Sequence, residues 1–314
     1  MLPTATVVAA LDHSDDADSV LRAARALRAT DVPSSLHVVH VVEAMPEAMR
    51  RYLFPYACFG DDHDAIIADL MESGRTVFRQ RFQGDKAFEE RMLRVVYGSV
   101  ADRLLDELKE LGPDLVVVGA SSRPHPEAGV VGGNAARLAR RATSPVLIVR
   151  KRGRNDYKKI GVALDMSDAS AELFARAIEL AHLREGTLTP IHVLASSGSL
   201  DHLSARKDAT QSLDHAAQRR LDQRYQQIWG SLKLPFPVQG EAARIVQKPR
   251  LEHGDPGKQL VAVANEAELD LLVLHRCQAS MRSGLSLGRV AEYALRHAPC
   301  DILVLPPPVQ QAEE

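Results

Sequence analysis

Cysteine is scarce in this sequence. Only Cys58, Cys277 and Cys300 occur in 314 residues, and no two of them share CxxC spacing. That excludes a disulfide framework and a zinc ribbon, and it fits a reducing compartment. An excess of one charge is missing too. The 39 basic residues face 41 acidic ones, leaving a net charge of −2, which gives no reason to expect nucleic acid or an anionic membrane as partner. No apolar stretch approaches the ~18 residues of a membrane span. The first apolar run is broken by Asp12 with no basic residues ahead of it, so no signal peptide is expected and a cytoplasmic location is. The chain contains no G-x-x-x-x-G-K-[S/T], no G-x-G-x-x-G after its first strand and no H-E-x-x-H. No nucleophile–base pair or carboxylate dyad stands out, so the expectation is a binding protein and not an enzyme.

What is there is a globular composition, 45% hydrophobic and 25% charged, long enough for two domains, each with its own core. The most informative stretch is Leu269 to Pro306. An apolar run (Leu271 to Leu274) leads into a polar loop, then a helical segment with Val290, Ala291, Ala294, Leu295 and Ala298 at helical spacing, then a second apolar run (Ile302 to Leu305). Short apolar runs bounded by turn signals read as strands buried on both faces. The loop opens onto a helix N-terminus, where unpaired N–H groups and the helix dipole favour an anion. The same unit runs from Asp114 to Arg150. Gly119 aligns with His275, Gly132 with Gly288 and Pro145 with Asp301, each pair 156 positions apart.

The duplication extends to the whole chain. The first half offers strands at Ala5 to Leu11, Leu36 to Val42 and Met92 to Tyr97. Between them lie helical stripes through Val20, Leu21, Ala24 and Leu27, and through Ile66, Ile67, Leu70, Met71, Gly74, Val77, Phe78 and Phe82. A third helix, with Leu104, Leu105 and Leu108, is stopped by Gly112-Pro113. In the second half strands fall at Ile160 to Leu164, Leu188 to Leu194 and near Arg244 to Leu251. Helices run through Leu173, Ala177, Ile178 and Ala181, and through Leu213 to Trp229. Asp12 pairs with Asp165, His40-Val41 with His192-Val193, and Gly98 with Gly254. Each half is thus β-α-β-α-β-α-β-α-β, an α/β fold with a parallel sheet covered on both faces and ligands at the carboxyl ends of the strands. Domain boundaries are expected at 1–150 and 158–314, with the basic stretch 151–157 as a solvated linker.

These motifs resemble those of the universal stress protein family, whose hallmark loop is G-x-x-G, nine residues, then G-[S/T], followed by a helix and a strand. The endings "ATSPVLIVR" and "LRHAPCDILVLPP" resemble that family's usual close. The resemblance covers nearly the whole chain, in two copies. It implies two Rossmann-like domains, each a five-stranded parallel sheet of order 3-2-1-4-5 sandwiched by helices. It also implies ATP, or another small anionic ligand, held at the loop and helix start. In the first copy the motif reads Gly119-x-x-Ser122, nine residues, Gly132-Gly133, then Asn134. The hydroxyl position is Gly133 and the second Gly is Ser122, while the backbone donors survive. In the second copy the positions are His275, Gln278, Gly288 and Arg289. The side chains of His275 and Gln278 are expected to narrow the space, and Arg289 to hold an anion or plug the site, so this half is expected to be degenerate.

By the same resemblance Asp12 and Asp165 lie near the ribose and any divalent ion, and Val41 and Val193 against the adenine. On their own terms Asp12, Ser14, Asp165 and Ser167 read as helix caps, and the valines as ordinary core. Gly98 and Gly254 follow the third strand, where a turn explains them without a ligand. The twelve histidines are expected to scatter over the surface, with no metal site. The aromatic segment Tyr52 to Phe59 reads as a lid, a partner surface or a packing surface. The last strands, Val146 to Val149 and Ile302 to Leu305, would be exposed sheet edges. The expected remedy is domain-against-domain pairing, an internal pseudo-dimer, with a homodimer as a further assembly.

The functional expectation is therefore a stress-response binding module, with weak adenine-nucleotide binding in the first half. Two alternatives remain open at this level: a nucleotide-independent interaction protein, and, with less support, a slow ATPase or self-phosphorylating protein.

Overall fold

The run Val7-Val8-Ala9-Ala10 has no polar residue to turn toward water, and it lies in the middle of a sheet. In the computed structural model, β1 (Thr6–Ala10) pairs in parallel with β2 (Ser35–Glu43) on one side and β4 (Leu115–Gly119) on the other. The structure describes residues 5–14, 16–28, 35–45, 62–83, 92–120, 131–150, 155–195, 219–220, 223–227, 243–276 and 287–306. Tyr52 to Phe59, and most of the helix expected from Leu213 to Trp229, lie outside them.

The first half continues with α1 (Ala17–Ala26), α2 (Asp62–Arg81), β3 (Leu93–Gly98), α3 (Val100–Leu111), α4 (Gly133–Arg141) and β5 (Val146–Val149). The second half has β6 (Lys159–Ala163), α5 (Ala169–Leu183), β7 (Thr187–Ala195), a single helical turn at Ala243–Ile245, and β8 (Arg250–Gly254). It ends with α6 (Pro256–Glu266), β9 (Leu271–His275), α7 (Arg289–His297) and β10 (Asp301–Leu305). Helix α3 stops where Gly112 takes φ 54° and its N–H reaches the Leu108 carbonyl, the left-handed ending that glycine allows.

The third strand of the second half starts later than its apolar content predicts. Only a bridge joins Val246 to Leu188, and β8 begins at Arg250. Pro249 has no N–H to give a ladder. On the neighbouring strand, Pro190 pairs with Val162 of β6, and the ladder to β8 begins only at Ile191.

Within each half the strands run parallel in the expected order, β3-β2-β1-β4-β5 and β8-β7-β6-β9-β10, and the two sheets join edge to edge into one of ten strands, ordered β3-β2-β1-β4-β5-β10-β9-β6-β7-β8. Strands β5 and β10 meet antiparallel, with Ile148 opposite Ile302, Leu147 opposite Leu303 and Val146 opposite Val304. The two bare edges expected from the sequence therefore satisfy each other. Because side chains alternate across a strand, each face of the joined sheet carries one apolar cluster that crosses the joint. Val7, Ala9, Leu147, Leu303 and Val273 belong to the cluster under α1 and α5. Val8, Ala10, Ile148, Ile302 and Leu272 belong to the one under α3, α4, α6 and α7. A separate core in each half is not what forms.

Of the expected linker, residues 155–157 are described, and Asp156 is exposed. Tyr157 is fully buried, and its hydroxyl donates to Asp301 Oδ2 at 2.8 Å. The Arg150 N–H donates to Asp301 Oδ1 at 2.8 Å, and the N–H groups of Lys158 and Lys159 each donate to Asp270 at 3.0 Å. Contacts between the halves also break the duplication's symmetry. Arg140 of α4 makes a two-pronged ion pair to Glu292 of α7 at 2.7 and 2.8 Å. Along α2 the predicted stripe is only partly inward: Phe78, Phe82 and Gly74 are buried, whereas Ile66, Leu70 and Val77 are exposed.

Candidate functional site

Each half has a cleft at the carboxyl end of its first and fourth strands, where the chain turns away and the strands leave backbone uncovered. The first cleft lies between the ends of β1 and β4 and the start of α4. It has a volume of about 110 Å³, and Asp12, Val41, Gly119, Gly132, Gly133 and Asn134 all reach it. Of the first-half candidates, Gly98 does not line it, and Ser122 lies outside the described residues. The second cleft has a volume of about 510 Å³ and gathers Asp165, Val193, His275, Gly288 and Arg289. Gly254 is not in its lining, and Gln278 lies outside the described residues. His275 and Gly288 both line this second cleft, which is the larger of the two.

At the first cleft the start of α4 is bare. Gly132 takes ordinary angles (φ −61°, ψ 149°), and its N–H donates to the Ala120 carbonyl at 2.6 Å. A Cβ built on Gly133 would meet nothing within 4 Å, so the helix's first residue faces open space. Gly288 occupies the matching place in the second half at φ 95°, ψ 143°. Only glycine holds such angles without strain, and the chain enters α7 from a different direction. Gly288→Ala should therefore cost about 1–3 kcal/mol of stability, more than Gly132→Ala, whose angles any residue can adopt. Urea unfolding of the two variants checks the asymmetry.

Asp12 and Asp165 do not cap helices, contrary to expectation. Asp12 Oδ1 accepts from the N–H and hydroxyl of Ser14, and Asp165 Oδ1 accepts from the N–H and hydroxyl of Ser167. This is the local turn in which a carboxylate satisfies the backbone two residues on, and neither α1 nor α5 has a side-chain cap bond. Ser170 adds a third donor to Asp165 at 2.8 Å. Burial pushes the Asp165 carboxyl up, but the bonds from Ser167 and Ser170 outweigh it, and the pKa lies below the usual carboxylate value. Asp255, by contrast, does cap: it accepts from the Lys258 N–H ahead of Pro256.

Gly98 and Gly254 are turn glycines, at φ 145° and 126°. A Cβ on Gly98 would come within 2.7 Å of the Arg103 side chain. Residues two positions on, Val100 and Pro256, are the ones that face the clefts.

Two histidines were missed as site residues. His40 is 5% exposed, against the expectation of a surface position. Its Nδ1–H donates to the Leu11 carbonyl at 2.9 Å, and His192 does the same to Leu164 at 2.7 Å; the carbonyl can only accept, which sets the tautomer. Each histidine thus pins the strand end that carries Asp12 or Asp165. Burial pushes His40 below the ordinary imidazole range, outweighing the opposing effect of the Leu11 carbonyl. The signal was available: a polar residue recurs at the same place in both copies of an otherwise apolar strand.

Charge separates the clefts further. The first is lined by Asp12 and Asp16 and by no lysine or arginine among the described residues. The second is lined by Asp165, Arg276 and Arg289. Burial pushes His275 below its ordinary value, against the pull of Glu172 and Asp165, so it adds little positive charge near neutrality. Among the described residues no group of three or more His, Cys, Asp or Glu could hold a metal ion, and no helix is long and apolar enough to cross a membrane.

Comparison with known proteins agrees with the architecture. A universal stress protein of Archaeoglobus fulgidus superimposes with a TM-score of 0.61 at 16% identity, covering 98% of this chain and 97% of that one. A functionally unknown protein of Pseudomonas aeruginosa PAO1 gives 0.63 at 17%, covering 98% and 94%. A Staphylococcus aureus (strain USA300) protein named for the same family is 27% identical over 151 residues, 48% of this chain and 84% of that one. The model of the universal stress protein family matches twice, at residues 4–150 and 156–306. The chain therefore belongs to the universal stress protein family and carries that family's domain twice in series.

Proposed function

We propose that this protein is a binding and regulatory module, not an enzyme, and that its first-half cleft takes an adenine nucleotide weakly. The observation that carries this is the start of α4. Gly132-Gly133-Asn134 opens the helix toward the carboxyl ends of β1 and β4, with open space at Gly133. Unpaired N–H groups and the helix dipole at such a place favour phosphate oxygens. The residues fit the nucleotide in part. Backbone donors, the apolar Val39 and Val41 for a base, and Asp12 for a ribose or a divalent ion all border the cleft. No cationic side chain among the described lining neutralises a triphosphate, so the affinity is low and depends on a divalent cation.

Gly133→Glu is the direct test. The added carboxylate enters open space, favours the helix N-terminus, and stands where phosphate would. Calorimetric titration with Mg-ATP should show binding by the wild type and a loss of at least tenfold in the variant, at unchanged melting temperature. A wild type that takes up no heat, or a variant that binds equally, rejects the reading.

The small volume and two carboxylates of this cleft favour a second reading, an interaction protein that works without nucleotide. Mass spectrometry of the natively purified protein separates the two, because a co-purified nucleotide excludes the second.

A further inference from the structure

The second-half cleft is the larger of the two, at about 510 Å³ against about 110 Å³. Much of its wall is aliphatic: Leu164, Leu173, Leu260, Leu274 and Leu287 face it, and no Phe, Tyr or Trp lines it among the described residues. Burying an aliphatic chain against these leucines is favourable in proportion to the apolar surface taken out of water.

One rim of the cavity is polar. Arg289 begins α7, a nine-residue helix, whose dipole favours an anion at the cavity edge. Arg289 is exposed, and among the described residues it has no hydrogen-bond or ion-pair partner. The second guanidinium, Arg276, is turned away: its Nη1 donates to the carbonyls of Arg140 and Ala142 at 2.6 and 3.0 Å, closing the end of α4 in the other half. The acid across the cleft, Asp165, is already held by Ser167 and Ser170. His275 makes no hydrogen bond among the described residues, and burial keeps it neutral near pH 7. Among the described residues the rim thus offers Arg289 as a positive charge beside a helix N-terminus, above a leucine-lined cavity of about 510 Å³.

We propose that this cavity binds an aliphatic monoanion, a fatty-acyl carboxylate, with the carboxylate on Arg289 and the start of α7 and the chain among the leucines. A triphosphate is disfavoured there. It would bring several charges to one cation and face Asp165, and Arg289 and His275 stand where the first copy has Gly133 and Gly119. This site is independent of the nucleotide reading of the first half.

Dodecanoate below its micellar concentration is the probe, with dodecanol (the same chain without charge), 1-naphthoate (an aromatic carboxylate) and Mg-ATP as comparisons. The readouts are displacement of a dansyl-labelled undecanoate from the full-length protein and native mass spectrometry for stoichiometry. One dodecanoate should bind per chain, at least tenfold tighter than dodecanol and tighter than 1-naphthoate, without displacement by Mg-ATP. Arg289→Ala, at an exposed position, should bring dodecanoate to the level of dodecanol. Leu260→Trp should fill the cavity and abolish both. Gly133→Glu should leave dodecanoate binding unchanged. The proposal is overturned if dodecanoate does not bind, if Arg289→Ala leaves its affinity intact, if 1-naphthoate binds better, or if Gly133→Glu removes it.

Discussion

Leu147→Ala and Leu303→Ala are each expected to lower the unfolding free energy by about 2–5 kcal/mol, the usual cost of emptying a buried leucine site. The two residues face one another across the antiparallel joint of β5 and β10, and they are 0% and 2% exposed. They also belong to the same apolar cluster, which draws on both halves. The double variant should therefore cost less than the two single costs added together, with a coupling of about 0.5–3 kcal/mol. Urea unfolding followed by circular dichroism and by the single tryptophan, Trp229, supplies all the terms of the cycle. A joint that merely touched would give additive, small effects. Unfolding in two separate transitions would mean that each half keeps its own core, contrary to the shared clusters seen here.

The second large effect centres on Asp301, a fully buried acid that replaces Pro145 of the first copy. Burial pushes its carboxyl up to about 6, even though the Arg150 N–H, the Tyr157 hydroxyl and the Arg150 charge favour the ionised form and pull it down. A folded-state value above the ordinary 3.8 means that the folded chain holds this proton more tightly than the unfolded chain does. The associated stability is fully present below about pH 4 and is lost as pH rises through about 6. Each tenfold difference in proton affinity between the two states is worth about 1.4 kcal/mol, so the loss amounts to about 3 kcal/mol. Asp301→Asn should remove that step, because an amide still accepts from the Arg150 N–H and can donate to the Tyr157 oxygen. Denaturation midpoints at pH 4 and pH 7 should converge in the variant relative to wild type; parallel profiles would exclude Asp301 as the source. Asp301→Leu should instead lower stability at both pH values, since it leaves two buried donors unpaired at about 1–3 kcal/mol each.

Cys300, the residue before this acid, is buried as well. Its thiol is pushed up to about 12, first by desolvation and then by Asp301. It is therefore a packed side chain and a poor nucleophile.

Much of this protein could be read along the chain. Valine-rich runs such as Leu115 to Val118, at the spacing of strands buried on both faces, became central strands. Gly112 stopped its helix, and Gly98 and Gly254 marked turns because their angles admit little else. The unbroken spacing from Gly119 to Gly132 and from His275 to Gly288 revealed the duplication and put both loops beside their helix starts. Such features depend on neighbours a few residues away, so sequence order preserves them.

Other features needed the assembled fold. Which face of α2 is buried, and whether Asp12 caps a helix or closes a turn, are set by what packs against them in space. Nothing local tells Leu147 that Leu303 will complete its ladder, or that two cores will merge into clusters spanning both halves. Nor does motif counting size a cavity. Cavity volume depends on the path of the backbone at Gly288 and on side chains drawn from several strands and helices. The sequence by itself determined the elements, their order and their repetition, because those follow from short-range pattern and chirality. Only tertiary structure decided how the edges join and what each cleft can hold, because both depend on contacts between residues far apart in the chain.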